Sequence, residues 1–222
     1  LFALDGLGAD THDVGAAFSM PMRVRCRALS EAISVVHLPA LVYSSDRVWE
    51  MDFVCREGLL PLCATLLKCG ALIDGEGMCF RSPLFSAIQN GHTEVAWLLI
   101  TRRARCIDSS GAVWNPLHFA ARHGNDALVE RLIIVGRMPL DVPESNYGRL
   151  PLHEAAAGGS TSVVSLLIDH GANPNAKDRF GDTPLRDAAR EGQEAVARLL
   201  IERGARVDEA NDKGQTPLFL AA

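Results

Sequence analysis

The stretch Leu150-Pro151-Leu152-His153-Glu154-Ala155-Ala156-Ala157-Gly158-Gly159 decides the fold, because its skeleton occurs at four other places in the chain. The Pro-Leu step returns at Pro83-Leu84, Pro116-Leu117, Pro184-Leu185 and Pro217-Leu218, at successive spacings of 33, 35, 33 and 33 residues. A small pair follows four and five positions on, as Ala120-Ala121, Ala155-Ala156, Ala188-Ala189 and Ala221-Ala222, with Ala87-Ile88 the looser case. Eight residues past the proline stands Gly91, Gly124, Gly159 or Gly192. Twenty past it stands Gly136, Gly171 or Gly204, with Arg103 breaking the rule. A fixed period of this length points to stacked repeats rather than a single globular core.

The residue types set the shape of one unit. Ser82, Asn115, Thr183 and Thr216 precede their prolines, which is an N-cap followed by proline at the first helical position, where the missing N–H is harmless. The alanine pair keeps this first helix thin, and the glycine at position eight ends it after about two turns. A second helix then carries apolar residues at helical spacing, as in Val163, Leu166, Leu167 and in Val196, Leu199, Leu200. Gly171 and Gly204 stop that helix, and a polar finger leads to the next proline. Two such short helices cannot bury their apolar sides alone, but stacked units share one continuous core.

The pattern resembles the ankyrin-repeat family, most closely in Leu150–Ala156, in Asn115-Pro116-Leu117-His118-Phe119-Ala120-Ala121 and in the Gly171-Ala172-Asn173 and Gly204-Ala205 turns. The resemblance implies an all-α solenoid of helix-turn-helix units with finger loops. It also implies a structural role for His118 and His153, which would hydrogen-bond across to a neighbouring turn. Residues 46–222 are expected to form the array, about five units with the last truncated. Upstream the register persists in Gly58 and Gly70-Ala71, but Glu50 replaces the proline, and Trp49-Glu50-Met51-Asp52-Phe53 is read as replacing the usual first helix. Residues 1–45 are expected to be degenerate repeats or a capping segment. The chain has no initiator Met and stops in the apolar run Leu218-Phe219-Leu220, so a piece of a longer protein is expected, with fraying from about Gly214 onward.

Composition narrows the function. Twenty-two Lys plus Arg against 27 Asp plus Glu give a net charge of −5, the opposite of the clustered basic excess of a nucleic-acid binder. No run of about eighteen apolar residues is present to cross a membrane. The six cysteines contain no C-x-x-C pair; reduced, buried thiols in an intracellular protein, cytoplasmic or nuclear, are expected. Cys55, Cys63 and Cys69, eight and six residues apart, do not follow zinc-ligand spacing. His153-Glu154 opens a zinc-protease pattern, but Ala157 stands where its second histidine belongs. The glycines Gly6 and Gly8 lack a third partner, since Thr11 occupies its place. No catalytic residue, cofactor or metal is assigned.

Function therefore falls to the side formed by the fingers and the ends of the first helices. The partner-binding residues expected there are Arg81, Trp114, Arg122, His123, Tyr147, Arg149, Arg179, Phe180, Asp182, Arg190 and Glu191. Arginine and aromatic side chains are favoured at interface hot spots, and Tyr147 and Phe180 stand on adjacent fingers 33 residues apart. The same rings also suit packing between neighbouring fingers. The finger from Arg137 to Asn146, two residues longer than its neighbours and carrying Pro139 and Pro143, is a second place where specificity or mere drift would lodge. The expected function is a non-catalytic scaffold that binds a partner protein, as a monomeric array within a longer chain, with no nucleic acid or membrane involved. The alternative is the substrate-targeting arm of a larger enzyme or signalling protein, such as a ubiquitin-ligase adaptor.

Overall fold

The computed structural model describes residues 47–68, 70–74, 82–107, 113–144 and 147–217. Within them lie five helix pairs: α1 (Arg47–Arg56) with α2 (Leu60–Lys68), α3 (Pro83–Gln89) with α4 (Thr93–Thr101), and α5 (Pro116–Arg122) with α6 (Asp126–Ile134). The series continues with α7 (Pro151–Gly158) and α8 (Thr161–Asp169), then α9 (Pro184–Arg190) and α10 (Glu194–Glu202). First helices pack on first helices and second on second, giving a two-layer ladder in which each unit touches its neighbours. The expected degenerate or capping segment, residues 1–45, lies outside the described residues.

Each first helix starts as its sequence demands. The Ser82 hydroxyl accepts the Phe85 N–H at 3.2 Å, Asn115 Oδ1 accepts the Leu117 N–H at 2.9 Å and Thr183 Oγ1 accepts the Arg186 N–H at 3.4 Å. Leu150 has no such side chain, and there His153 Nδ1 accepts the Leu150 N–H at 3.1 Å. The leucine after each proline (Leu84, Leu117, Leu152, Leu185) is buried, as are Ala120, Ala121, Ala155, Ala156 and Ala188, while Ala189 is half-buried. They meet Leu99, Leu128, Leu132, Leu167 and Leu200 of the second helices in one continuous core. Truncating one such leucine to alanine would cost about 2–5 kcal/mol.

Three local departures from the repeat pattern have physical reasons. Glu50 does not prevent a first helix: α1 runs ten residues, beginning upstream of the proline position, and buries Met51, Phe53, Val54 and Cys55. Gly136 does not supply the left-handed turn after α6. Instead Arg137 takes φ 47°, while a Cβ on Gly136 would stand 2.7 Å from the Leu132 carbonyl oxygen. Arg103, where the glycine rule breaks, takes φ 63° in the same kind of turn. The finger between α4 and α5 forms a two-residue antiparallel ladder, β1 (Cys106–Ile107) and β2 (Val113–Trp114), with Cys106 opposite Trp114. It is the only strand pairing among the described residues, and the body is otherwise helical.

Buried histidines tie each finger to the unit before it. His118 Nε2 donates to the Arg149 carbonyl and His153 Nε2 to the Asp182 carbonyl, both at 3.0 Å, so the ring proton sits on Nε2. Burial lowers the pKa of both rings and keeps them neutral. Arg186 takes the equivalent place in the next unit and reaches Gln215 Oε1 at 2.9 Å. Beyond it Asn211 Oδ1 accepts the N–H groups of Lys213 and Gln215, both at 3.0 Å, so the turn around Gly214 is hydrogen-bonded. The rest of the stretch expected to fray, from Leu218 onward, lies outside the described residues.

Candidate functional site

The third residue after each proline faces the finger side of the first-helix layer, and its chemistry changes along the array. That position is Ser86 in the α3 unit and Phe119 in the α5 unit, and around them the face is aromatic. The Phe85 and Phe119 rings lie 4.2 Å apart between centroids, His123 lies 4.3 Å from Phe119, and Trp114 meets Phe119 edge-on at 5.9 Å. Trp114 is half-buried, so part of its surface is spent packing its finger onto the helix that follows. His123 is exposed on one side, but its ring packs on Phe119, and that partial desolvation, then the charge of Arg122, lower its pKa.

In the α7 and α9 units the same face is ionic. Arg122 Nη1 lies 2.8 Å from Glu154 Oε2, and Arg149 Nε lies 2.6 Å from Glu154 Oε1. Arg149 Nη2 lies 3.0 Å from Asp187 Oδ2, and Arg190 Nη2 lies 2.9 Å from Asp187 Oδ1. The result is an alternating ladder, Arg122–Glu154–Arg149–Asp187–Arg190, across three units. Its side chains are 45%, 1%, 11%, 0% and 41% exposed in that order, so the carboxylates are internal and the outer arginines reach solvent. Burial pushes the Asp187 carboxyl up to about 7, against the opposing pull of Arg149 and Arg190.

Above this floor stand the fingers. The Arg179 N–H donates to the Tyr147 carbonyl at 3.0 Å, and the Asp212 N–H donates to the Phe180 carbonyl at 3.1 Å, so successive finger tips are joined at equivalent positions. The Tyr147 and Phe180 rings are 55% and 49% exposed and 6.0 Å apart between centroids. Below them opens a cavity of about 210 Å³ lined by Tyr147, Arg149, Asp178, Phe180, Asp182 and Arg190.

Several expected site residues thus converge, in different states. Tyr147, Arg149, Phe180, Asp182 and Arg190 line one cavity. Arg122 and His123 lie further along the face at the end of α5. Arg179 and Glu191 are exposed, Arg179 on its finger and Glu191 paired with Arg190 at 3.1 Å. The Asp182 carboxylate is held inside the protein by Arg186 Nε at 2.6 Å and Asn211 Nδ2 at 2.8 Å. Arg81 lies outside the described residues. Sequence reasoning missed Glu154 and Asp187, the buried acids that hold the arginines. The available signal was their shared position, third after proline in two consecutive units.

A family model for ankyrin repeats, three copies, matches residues 51–137, 105–178 and 152–222. The chain belongs to the ankyrin-repeat family. Ankyrin repeats are protein–protein interaction modules, and the family is generally non-catalytic. Ankyrin repeat and SOCS box protein 5 of Oryctolagus cuniculus is 34% identical over 100 residues, 45% of this chain and 30% of that protein. Dauer abnormal formation protein 25 of Caenorhabditis elegans is 36% identical over 94 residues, 41% of this chain and 24% of that protein. The BTB/POZ domain and ankyrin repeat-containing protein NBCL of Lupinus angustifolius is 29% identical over 91 residues, 41% of this chain and 18% of that protein. The matched region is therefore less than a third of these relatives' length. No helix among the described residues is long and apolar enough to cross a membrane.

Proposed function

We propose that this array binds an extended segment of a partner protein along its finger side, anchored at the cavity beneath Tyr147 and Phe180. The observation that carries the reading is the pair of half-exposed rings over a floor whose arginines are already oriented by buried acids. A preorganised floor spares the ordering of long side chains on binding. At about 210 Å³ the cavity is smaller than the roughly 300–1,000 Å³ of small-molecule sites, so it suits one apolar or aromatic side chain of a protein. Arg190 and Arg122, each partly open to solvent, offer donors to carbonyls or acids of the same segment. Trp114, His123, Arg179 and Glu191 extend the face on either side, and Arg81 is its expected continuation.

The test is selection of peptides from a random display library on the full chain, followed by affinity measurement on variants. Selected peptides should share an apolar anchor and bind Tyr147→Ala plus Phe180→Ala at least about tenfold more weakly, the loss of a modest hot spot of roughly 1.4 kcal/mol. Arg198→Ala, at a side chain 74% exposed on α10, should leave binding unchanged. Full retention by the double variant would refute the proposed face.

A second reading has its own support. The relatives' names join ankyrin repeats to a SOCS box or a BTB/POZ domain. The array would then be the recognition arm of a longer protein, such as a ubiquitin-ligase adaptor, with further activity elsewhere. Reading the continuous coding sequence around this chain tests it, and a parent composed only of further repeats would exclude it.

A further inference from the structure

The first helix pair contains three sulfurs that the repeat architecture does not require. Met51 and Cys55 stand one turn apart on α1, and Cys63 faces them from α2. Cys63 Sγ lies 3.8 Å from Cys55 Sγ and 4.0 Å from Met51 Sδ. Met51 is 1% exposed, and both cysteines are fully buried and unoxidised. The two thiols share a hydrogen bond that raises the pKa of Cys55, with burial adding to it, and lowers that of Cys63, where Arg102 also favours the thiolate.

These separations have a geometric meaning. A metal bound to three sulfurs in a plane at about 2.3 Å places them about 4.0 Å apart, since the edge is √3 times the bond. The two edges that meet at Cys63 match two sides of that triangle, and Met51 and Cys55, one turn apart on the same helix, supply its remaining corners. The donors decide which cation. Thiolate and thioether ligands select Cu(I), whereas structural zinc takes four ligands. Among the described residues no group of three or more His, Cys, Asp or Glu is arranged for a metal, and the third donor here is a thioether.

We propose that Met51, Cys55 and Cys63 form a three-coordinate site for Cu(I) inside the first helix pair. Binding exchanges protons without changing any oxidation state. Cu(I) forms bonds to Cys55 Sγ, Cys63 Sγ and Met51 Sδ, and the two thiol protons leave to solvent. The filled site carries one net negative charge. The eight-residue gap between the cysteines is unlike a zinc finger because the ligands come from two helices rather than a knuckle.

The experiment uses the full chain with Cys26, Cys69 and Cys79 changed to Ser and Cys106 to Ala, so that only the buried pair remains. Cu(I) is titrated anaerobically against bicinchoninate, and copper X-ray absorption counts the sulfur neighbours. Expected are one Cu(I) per chain, three sulfurs at about 2.3 Å, and a rise in Tm on loading. Met51→Leu, which keeps the core volume, should weaken binding about tenfold with the apo-protein Tm unchanged, and Cys63→Ser should abolish it. If Cys63→Ser fails to fold, Met51→Leu alone decides between the outcomes. Failure to retain copper, a two-sulfur centre, or unchanged affinity in Met51→Leu would each overturn the proposal. None of these results bears on the finger-side interface, which lies on other residues.

Discussion

Replacing Arg149 by Met tests whether the buried acids depend on one shared cation. Arg149 contacts Glu154 at 2.6 Å and Asp187 at 3.0 Å, and both acids are internal. Each retains one other arginine, but Arg122 and Arg190 are 45% and 41% exposed, so solvent weakens what they supply. Removing one partner of a buried ion pair costs about 3–5 kcal/mol. The two acids will not share that cost equally. Asp187, already pushed up to about 7, can escape by taking a proton, whereas Glu154 loses its closest cation. The destabilisation should therefore be about 3–5 kcal/mol at pH 8 and smaller at pH 6, where Asp187 is largely neutral in the folded wild type. With an m-value of about 2–3 kcal/mol/M, the urea midpoint at pH 8, followed by circular dichroism, should fall by roughly 1–2.5 M. The His118 contact survives, because it uses the Arg149 carbonyl. Adding Glu154→Gln and Asp187→Asn should restore most of the loss, since no unpaired charge then remains. A loss under about 1 kcal/mol, or no recovery in the triple variant, would refute this account of the floor.

The pH dependence of Asp187→Asn isolates one acid. A carboxyl whose folded pKa is raised stabilises the fold below its unfolded value, near 3.8, and loses that contribution as pH rises through about 7. Wild type should lose stability relative to the Asn variant across that window and run parallel above it; a flat difference in urea melts would contradict the assignment. His153→Ala removes the donor to the Asp182 carbonyl and the acceptor of the Leu150 N–H, so about 2–4 kcal/mol should be lost in the same assay at pH 8. Because burial lowers the His153 pKa, its contribution is full above about 6.5 and declines as pH falls below it, so the His153→Ala deficit should shrink in acid. Arg103→Gly should stabilise by about 0.5–1 kcal/mol, since relief of φ 63° outweighs the added freedom of the unfolded chain; a lower Tm would show that the Arg103 side chain contributes more than its backbone strain.

What was legible in the sequence was local. Proline after a capping residue, paired alanines and a glycine at fixed spacing each act within one unit, and the helix bounds of α3, α5, α7 and α9 follow them. The reading failed where distant residues decide. Glu50 in place of the proline marked a degenerate repeat without fixing where its first helix begins, and α1 starts at Arg47 and buries Met51, Val54 and Cys55 in the common core. Gly136 marked the expected turn, but the left-handed residue is Arg137, one position on, at the start of the longer finger. Five of the expected site residues do meet at one cavity, because equal register on adjacent fingers translates into nearness. In the sequence Glu154 stands out only as part of a failed zinc-protease pattern, because its real partner, Arg149, reaches it from the preceding finger and leaves no mark within the helix.

The third position after proline shows how the array separates folding from recognition. Ser86 there hydrogen-bonds Asp52, Phe119 stacks on Phe85, and Glu154 and Asp187 are ion-paired. All four occupy the same backbone environment, so the scaffold does not dictate their chemistry. The stacking is instead carried by the leucines beside the prolines, the small pairs and the side chains of His118, His153 and Arg186. A buried ion pair is weak evidence for stability, since replacement by well-packed apolar residues is often neutral or better. If so, the value of Glu154 and Asp187 lies in what they hold outward. Each orients one arginine, Arg122 or Arg190, from a fixed inner anchor toward the finger side. An apolar floor of equal stability would leave those guanidinium groups free to wander, and a partner would then have to order them itself on binding.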